Sequence, residues 1–174
     1  MKSFDPNKYG PVFAELLQVD RARSLGEGTP EASLRAALDA LSVKTAFAHA
    51  RVVDESMAEC CLSGVWLLCD NLDESHTLSQ GIGTPSGSFW HGIMHRREGD
   101  FSNAKYWFRR VGSHSVFQLM ADEGEESPWD PMAFVDACQR AVRRGGAEED
   151  RCRQLQQREW EVLFDFCYSA ATGT

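Results

Sequence analysis

The chain lacks any run of about 18 apolar residues, the length a membrane-crossing helix needs, and its opening MKSFDPNKYG has no apolar stretch of signal-peptide size. A cytoplasmic protein that does not enter a membrane is the expectation. Positive charge is also scarce. With a formal net charge of -8, the chain lacks the field that holds nucleic acid or an anionic membrane, so neither is expected as a partner. Its 6 cysteines form no Cys-x-x-Cys pair. Cys60, Cys61, Cys69, Cys138, Cys152 and Cys167 fall mostly among apolar neighbours at helical spacing, which reads as buried thiols rather than a disulfide frame or a zinc cage. No complete catalytic signature is present. Glu74-Ser75-His76 places three catalytic residue types side by side, where adjacent side chains do not assemble a triad, and the Gly81 to Ser88 loop lacks a P-loop's Gly-Lys-Ser/Thr ending.

What the chain does contain is helical periodicity. A length of 174 residues with 43% hydrophobic and 25% charged residues fits one all-α domain, an antiparallel helical bundle, with no convincing run of strands. After a turn at Asp5-Pro6-Asn7, a short helix from Pro11 to Val19 with Val12, Leu16 and Val19 on one face is expected to pack as an N-terminal flap within residues 1–28. Thr29 is a plausible N-cap, with Pro30 at the first position of a helix continuing through Leu34, Leu38 and Leu41. Val53, Met57, Cys60, Gly64 and Leu67 mark a core helix from about Val52 to Cys69. Leu72 to Thr77 is a polar segment, and residues 78–88 are a Gly/Pro/Ser-rich loop with Ser88 capping the next helix. Val116 to Met120 fits a short helix or an extended piece, and Glu123 to Ser127 an acidic connector. Asp130-Pro131 starts a helix that Gly145-Gly146 ends, and a last helix runs from about Ala147 to Ala171.

The chemistry concentrates between Ser88 and Gly112, SFWHGIMHRREGDFSNAKYWFRRVG, which reads as a helical hairpin. This stretch carries a net +3 and leaves −11 for the rest, a local basic patch suited to a small anion. His91 and His95 are four apart, so both imidazoles share a helical face at a separation that suits one metal ion, the alternatives being hydrogen-bonded core or groove histidines without metal, or surface histidines. Gly92 stands where the base glutamate of a zincin would be. Glu98 is seven residues, about 10 Å, from His91, too far to share the ion easily. A third ligand must come from His49, Glu55, Glu74 or His76. For a carboxylate or phosphate pocket, the candidate residues are His91, His95, Arg96, Arg97, Lys105, Arg109, Glu74 and His76, arginines neutralising charge and histidines handling protons. Trp90, Tyr106, Trp107 and Phe108 supply core or a groove wall.

At Gly92, Gly99, Asp100, Phe101, Ala104 and Phe108 the stretch 88–112 resembles one tetratricopeptide-type helical hairpin. The resemblance implies two closely approaching helices and a groove for a protein partner, which gives a second function class, a noncatalytic interaction module. It also implies that His91 and His95, standing where apolar or aromatic residues usually do, point inward. The phrases WHGIMHRRE and NAKYWFRR are similar to those of a bacterial all-helical family of unknown function. One histidine near position 49 followed by His-x-x-x-His is similar to the DinB-like metal-binding four-helix bundles. That likeness implies His49, His91 and His95 around one divalent ion, zinc, manganese or nickel.

Overall fold

The computed structural model describes residues 4–123 and 129–174, and every described element is helical. A 3-10 turn over Pro6–Tyr9, capped by the Asp5 carboxylate, leads into α1, Pro11–Leu16. Next come a 3-10 turn over Ala32–Leu34, α2 (Arg35–Asp39), α3 (Val43–Ala46), α4 (Glu55–Leu68), α5 (Leu72–Gly81) and α6 (Pro85–Glu98). The order closes with α7 (Phe101–Val111), α8 (Ser115–Glu123), α9 (Pro131–Arg144) and α10 (Ala147–Thr172). No described helix is long and apolar enough to cross a membrane.

Local signals fix several boundaries. Asp54, Asp100 and Asp130 each accept backbone N–H bonds at the starts of α4, α7 and α9, and Gly99 turns through φ 86° between α6 and α7. Other boundaries differ from the sequence reading. Leu72 to Thr77 belongs to α5. The loop expected through Ser88 ends at Thr84, because Thr84 caps α6 by accepting from the Gly87 N–H and Pro85 occupies the first turn. Thr29 caps no helix; its N–H donates to Asp70 Oδ2. Within Pro11 to Val19 it is Phe13, Leu16 and Leu17 that are buried, so the segment expected as a flap contributes to the core. Val116 to Met120 lies within α8. The acidic connector, beyond Glu123, lies outside the described residues.

The six cysteines are free and buried. One apolar core runs from Tyr9 to Ala171, and α6 passes through it, packed by α4, α5 and α7. Every residue from Ser86 to Arg97 is buried, although histidine, arginine and serine are among them. Two glycines admit the close neighbours. A Cβ on Gly64 would lie 2.8 Å from the Trp90 ring, and one on Gly92 3.1 Å from Phe108.

A buried polar helix needs partners for its charged groups, and both arginines have one, although Trp90 Nε1, Arg96 Nε and Arg96 Nη1 make no hydrogen bond among the described residues. Arg96 pairs with Glu159 on α10 at 2.5 Å, both side chains fully buried, and its guanidinium lies 4.5 Å over the Phe134 ring. Arg97 pairs with Asp70 at 2.7 Å and donates to the carbonyls of Gly26, Glu27 and Leu67. Asp70, in the α4–α5 turn at φ 60°, also pairs with Arg23, so one carboxylate ties the N-terminal loop to the centre of the fold.

Candidate metal centre

Only three residues separate α5 from α6. A Cβ on Gly87 would come within 2.4 Å of the Ile82 carbonyl, so glycine is what lets the chain reverse this tightly. The reversal sets α5 beside α6 and brings His76 against His91 and His95. The ring centroids lie 4.6 Å apart for His76 and His91, 5.4 Å for His76 and His95, and 4.7 Å for His91 and His95. One nitrogen from each ring can be chosen so that all three lie within 4.8 Å of one another. The Nε2 atoms of His91 and His95 are 3.0 Å apart. Nitrogen ligands about 2.0–2.1 Å from a tetrahedral ion are separated by about 3.3 Å, so the pair stands near ligand spacing. His76 supplies the third nitrogen of this group.

The outer edges of two rings are held. His95 Nδ1 lies 2.9 Å from the Glu98 carboxylate and must carry its proton there, since a lone pair facing a carboxylate would be repelled. That leaves a lone pair on His95 Nε2. His91 Nδ1 lies 2.8 Å from Ser79 Oγ, which is itself 2.7 Å from the Ser75 carbonyl. Two proton arrangements are open to these groups, of which only the second keeps the Ser79 hydroxyl bonded to the Ser75 carbonyl. Without a cation, Ser79 donates to His91 Nδ1, and His91 Nε2–H donates to His95. With a cation between the rings, Ser79 donates to Ser75 and accepts His91 Nδ1–H, freeing the His91 Nε2 lone pair as well. A hydroxyl rotation and a tautomer change, with no net proton lost, separate the two states.

The electrostatics favour neutral imidazoles. Burial, and then the neighbouring histidines, push His91 from 6.5 down to about 3. His95 is also lowered by burial, against the pull of Glu98. Neutral rings are the form that binds metal, so protons offer little competition at neutral pH.

Around this triad, α7 adds Asn103, whose Nδ2 lies 3.0 Å from His95 Nε2, and the half-buried Trp107, whose ring centroid is 4.1 Å from that of His91. A polar cleft of about 390 Å³ is lined by Glu27, Asp70, Asp73, Glu74 and Glu98, the last of which also holds His95 Nδ1.

The remaining expected site residues lie elsewhere. His49, expected as the third ligand, packs against Gly10, stacks on Tyr168 and bonds its hydroxyl at 2.9 Å, and it is not in the three-histidine group. Glu55 is exposed, and Glu74 pairs with Arg35 at 2.8 Å. Arg96 and Arg97 are engaged by Glu159 and Asp70, Lys105 pairs with Asp136 at 2.5 Å, and Arg109 is exposed. Ser79 and Asn103 are absent from the expected site, and Trp107 is expected there only as core or groove wall. Reading residues 72–81 as a helix would have put Ser79 one turn from His76, and Asn103 and Trp107 share a face of α7 at four-residue spacing. No protein-family model, no curated protein and no solved structure matches this chain.

Proposed function

We propose that the protein binds one divalent transition-metal ion through His76, His91 and His95 and presents its open side to a small anionic ligand. The observation that carries this reading is the convergence of three imidazoles, two of them held at Nδ1 by Ser79 and Glu98 so that their Nε2 lone pairs can face a common point. A neutral all-imidazole set favours zinc or nickel over manganese, which prefers oxygen donors. Three histidines and an open fourth position are also the layout in which zinc brings a bound water to a pKa of about 7, the chemistry such an ion would supply here. The chain's own part is to favour the neutral form of His91 and His95 by burial and to fix both rings by hydrogen bonds. Trp107 shields one side of His91.

We further infer a tetratricopeptide-type hairpin for α6–α7, supported by the Gly92 to Phe108 approach. The likeness to three-histidine bundles extends to ligand type, with His76 in place of His49.

The test is elemental analysis of protein purified without an affinity tag or chelator, followed by zinc and nickel titration. One equivalent is expected, with loss of binding in folded His91→Ala and marked weakening in His76→Ala. Wild-type affinity in both variants would overturn the reading.

A further inference from the structure

Asn103, Trp107 and Arg110 stand at i, i+4 and i+7 on α7, one stripe of a helix that packs against α6. Asn103 reaches the Nε2 edge of His95, the edge that would face a metal ion. Trp107 covers His91 at 4.1 Å, and the Arg110 guanidinium carbon lies 5.0 Å from the centre of the Trp107 ring. The guanidinium is therefore no farther from the His91 ring than those two distances combined. Arg110 is exposed and its hydrogen bond is a long one, 3.4 Å, to the Tyr106 hydroxyl, while Lys105 on the same helix is neutralised by Asp136. Among the described residues no carboxylate pairs with Arg110.

We propose that this stripe is the ligand-binding wall of the metal centre and that it selects a small organic anion. One oxygen of the ligand occupies the open position of the ion and accepts the Asn103 amide N–H. A second acidic group, a few bonds away, is held by Arg110, whose planar guanidinium rests on Trp107 and keeps its forked donors available to an oxyanion. Arg110 thus does for the ligand what Arg96 and Arg97, committed to buried carboxylates, cannot do. Glu98, which lines the acidic cleft, bonds His95 at Nδ1, the edge opposite the one that Asn103 reaches.

The inference rests on the metal-centre reading, and one titration separates the two. The protein is loaded with cobalt(II), and its visible spectrum is followed while succinate, phosphonoacetate or acetate is added. Arg110→Met is compared with Arg109→Met, which removes the same charge from the same helix. Cobalt affinity should be equal in all three proteins. Succinate or phosphonoacetate should shift the parent spectrum at lower concentration than acetate, and the tighter of the two identifies the second acid as carboxylate or phosphate. Arg110→Met should weaken that binding by about tenfold, bringing it toward acetate, with Arg109→Met within about twofold of the parent. Equal weakening in both variants would reduce the effect to diffuse charge, and unchanged spectra in a protein that holds cobalt would leave the stripe without a ligand; either result overturns the proposal. Failure of the parent to bind cobalt would instead remove the metal centre itself, and the inference with it.

Discussion

Replacing Glu98 by Gln should weaken metal binding about tenfold while leaving the metal-free fold almost unchanged. The Glu98 carboxylate lies 2.9 Å from His95 Nδ1, where it fixes the ring's orientation and raises the basicity of the nitrogen at the opposite edge. Partners in this position are generally worth 10 to 100-fold in metal affinity. Two features put Gln at the lower end. Its amide oxygen still accepts the Nδ1 proton, so the tautomer survives, and the native side chain is 47% exposed, so water screens the lost charge. The change should therefore cost the metal complex about 1.4 kcal/mol. Glu98→Ala removes the acceptor as well and should approach the hundredfold limit. Without metal, a half-exposed pair within one helix contributes less than about 1 kcal/mol, so neither variant should lower the metal-free melting temperature by more than a few degrees. Competition for zinc against a chromophoric chelator measures the affinity, and melts in excess chelator measure the apo fold. Wild-type zinc affinity in both variants would refute the role given to Glu98. A loss of apo stability as large as the loss of binding would show that the carboxylate supports the fold rather than the ion.

Elsewhere, Asp70→Ala should destabilise the protein by about 3–5 kcal/mol in urea unfolding, because it strands the Arg97 guanidinium, 2% exposed, without its carboxylate; a loss below about 1 kcal/mol would deny Asp70 its anchoring role. His114 accepts the Val116 N–H at Nδ1 at the start of α8, and burial lowers its pKa from 6.5 to about 4. The unfolded chain therefore binds this proton at higher pH than the folded one, so the contribution is intact above pH 6.5, declines as pH falls and is lost near pH 4. With partial exposure discounted, the span is under about 3 kcal/mol, and His114→Asn, which keeps a capping acceptor, should flatten the stability profile in that window. A parallel profile in the variant would exclude His114 as its source. Gly92→Ala gains about 1 kcal/mol of helix propensity but sets a methyl 3.1 Å from the buried Phe108 ring, so a net loss of about 1 kcal/mol is expected. Gly81→Ala meets nothing within 4 Å and should be neutral or stabilising; equal effects at the two sites would mean that α6 and α7 do not pack as closely as described.

What the sequence made legible was whatever is settled locally. Asp130-Pro131 and Gly145-Gly146 announce the two ends of α9 by chemistry within a turn of each boundary, whereas the Asp54 cap puts the start of α4 three residues later than its apolar spacing suggests. The α5 helix was not legible, for a physical reason that also hid part of the site. Its buried face is built from Ser75 and Ser79, which meet the rest of the fold through hydroxyls: Ser63 to Ser75, and Ser79 to His91. A search for apolar residues at helical spacing passes over such a face, and with it the relation between His76 and Ser79.

The adjacent arginines show the complementary failure. As a sequence, Arg96-Arg97 is a basic patch open to an anion, but their partners stand 63 residues later at Glu159 and 27 residues earlier at Asp70. No local pattern pairs them. Yet the composition of α6 carries the constraint that would have found them. A helix buried from Ser86 to Arg97 cannot leave two histidines and two arginines without polar partners, on a neighbouring element or on the helix itself. Arg96 and Arg97 meet carboxylates and are neutralised within the chain. His91 and His95 meet one another at 3.0 Å, with a third imidazole beside them and, among the described residues, no carboxylate bonded to the edges they share. Of the polar contacts made by α6, this is the one where an added cation would meet only nitrogen donors, and that distinction separates the histidine pair from the arginine pair beside it.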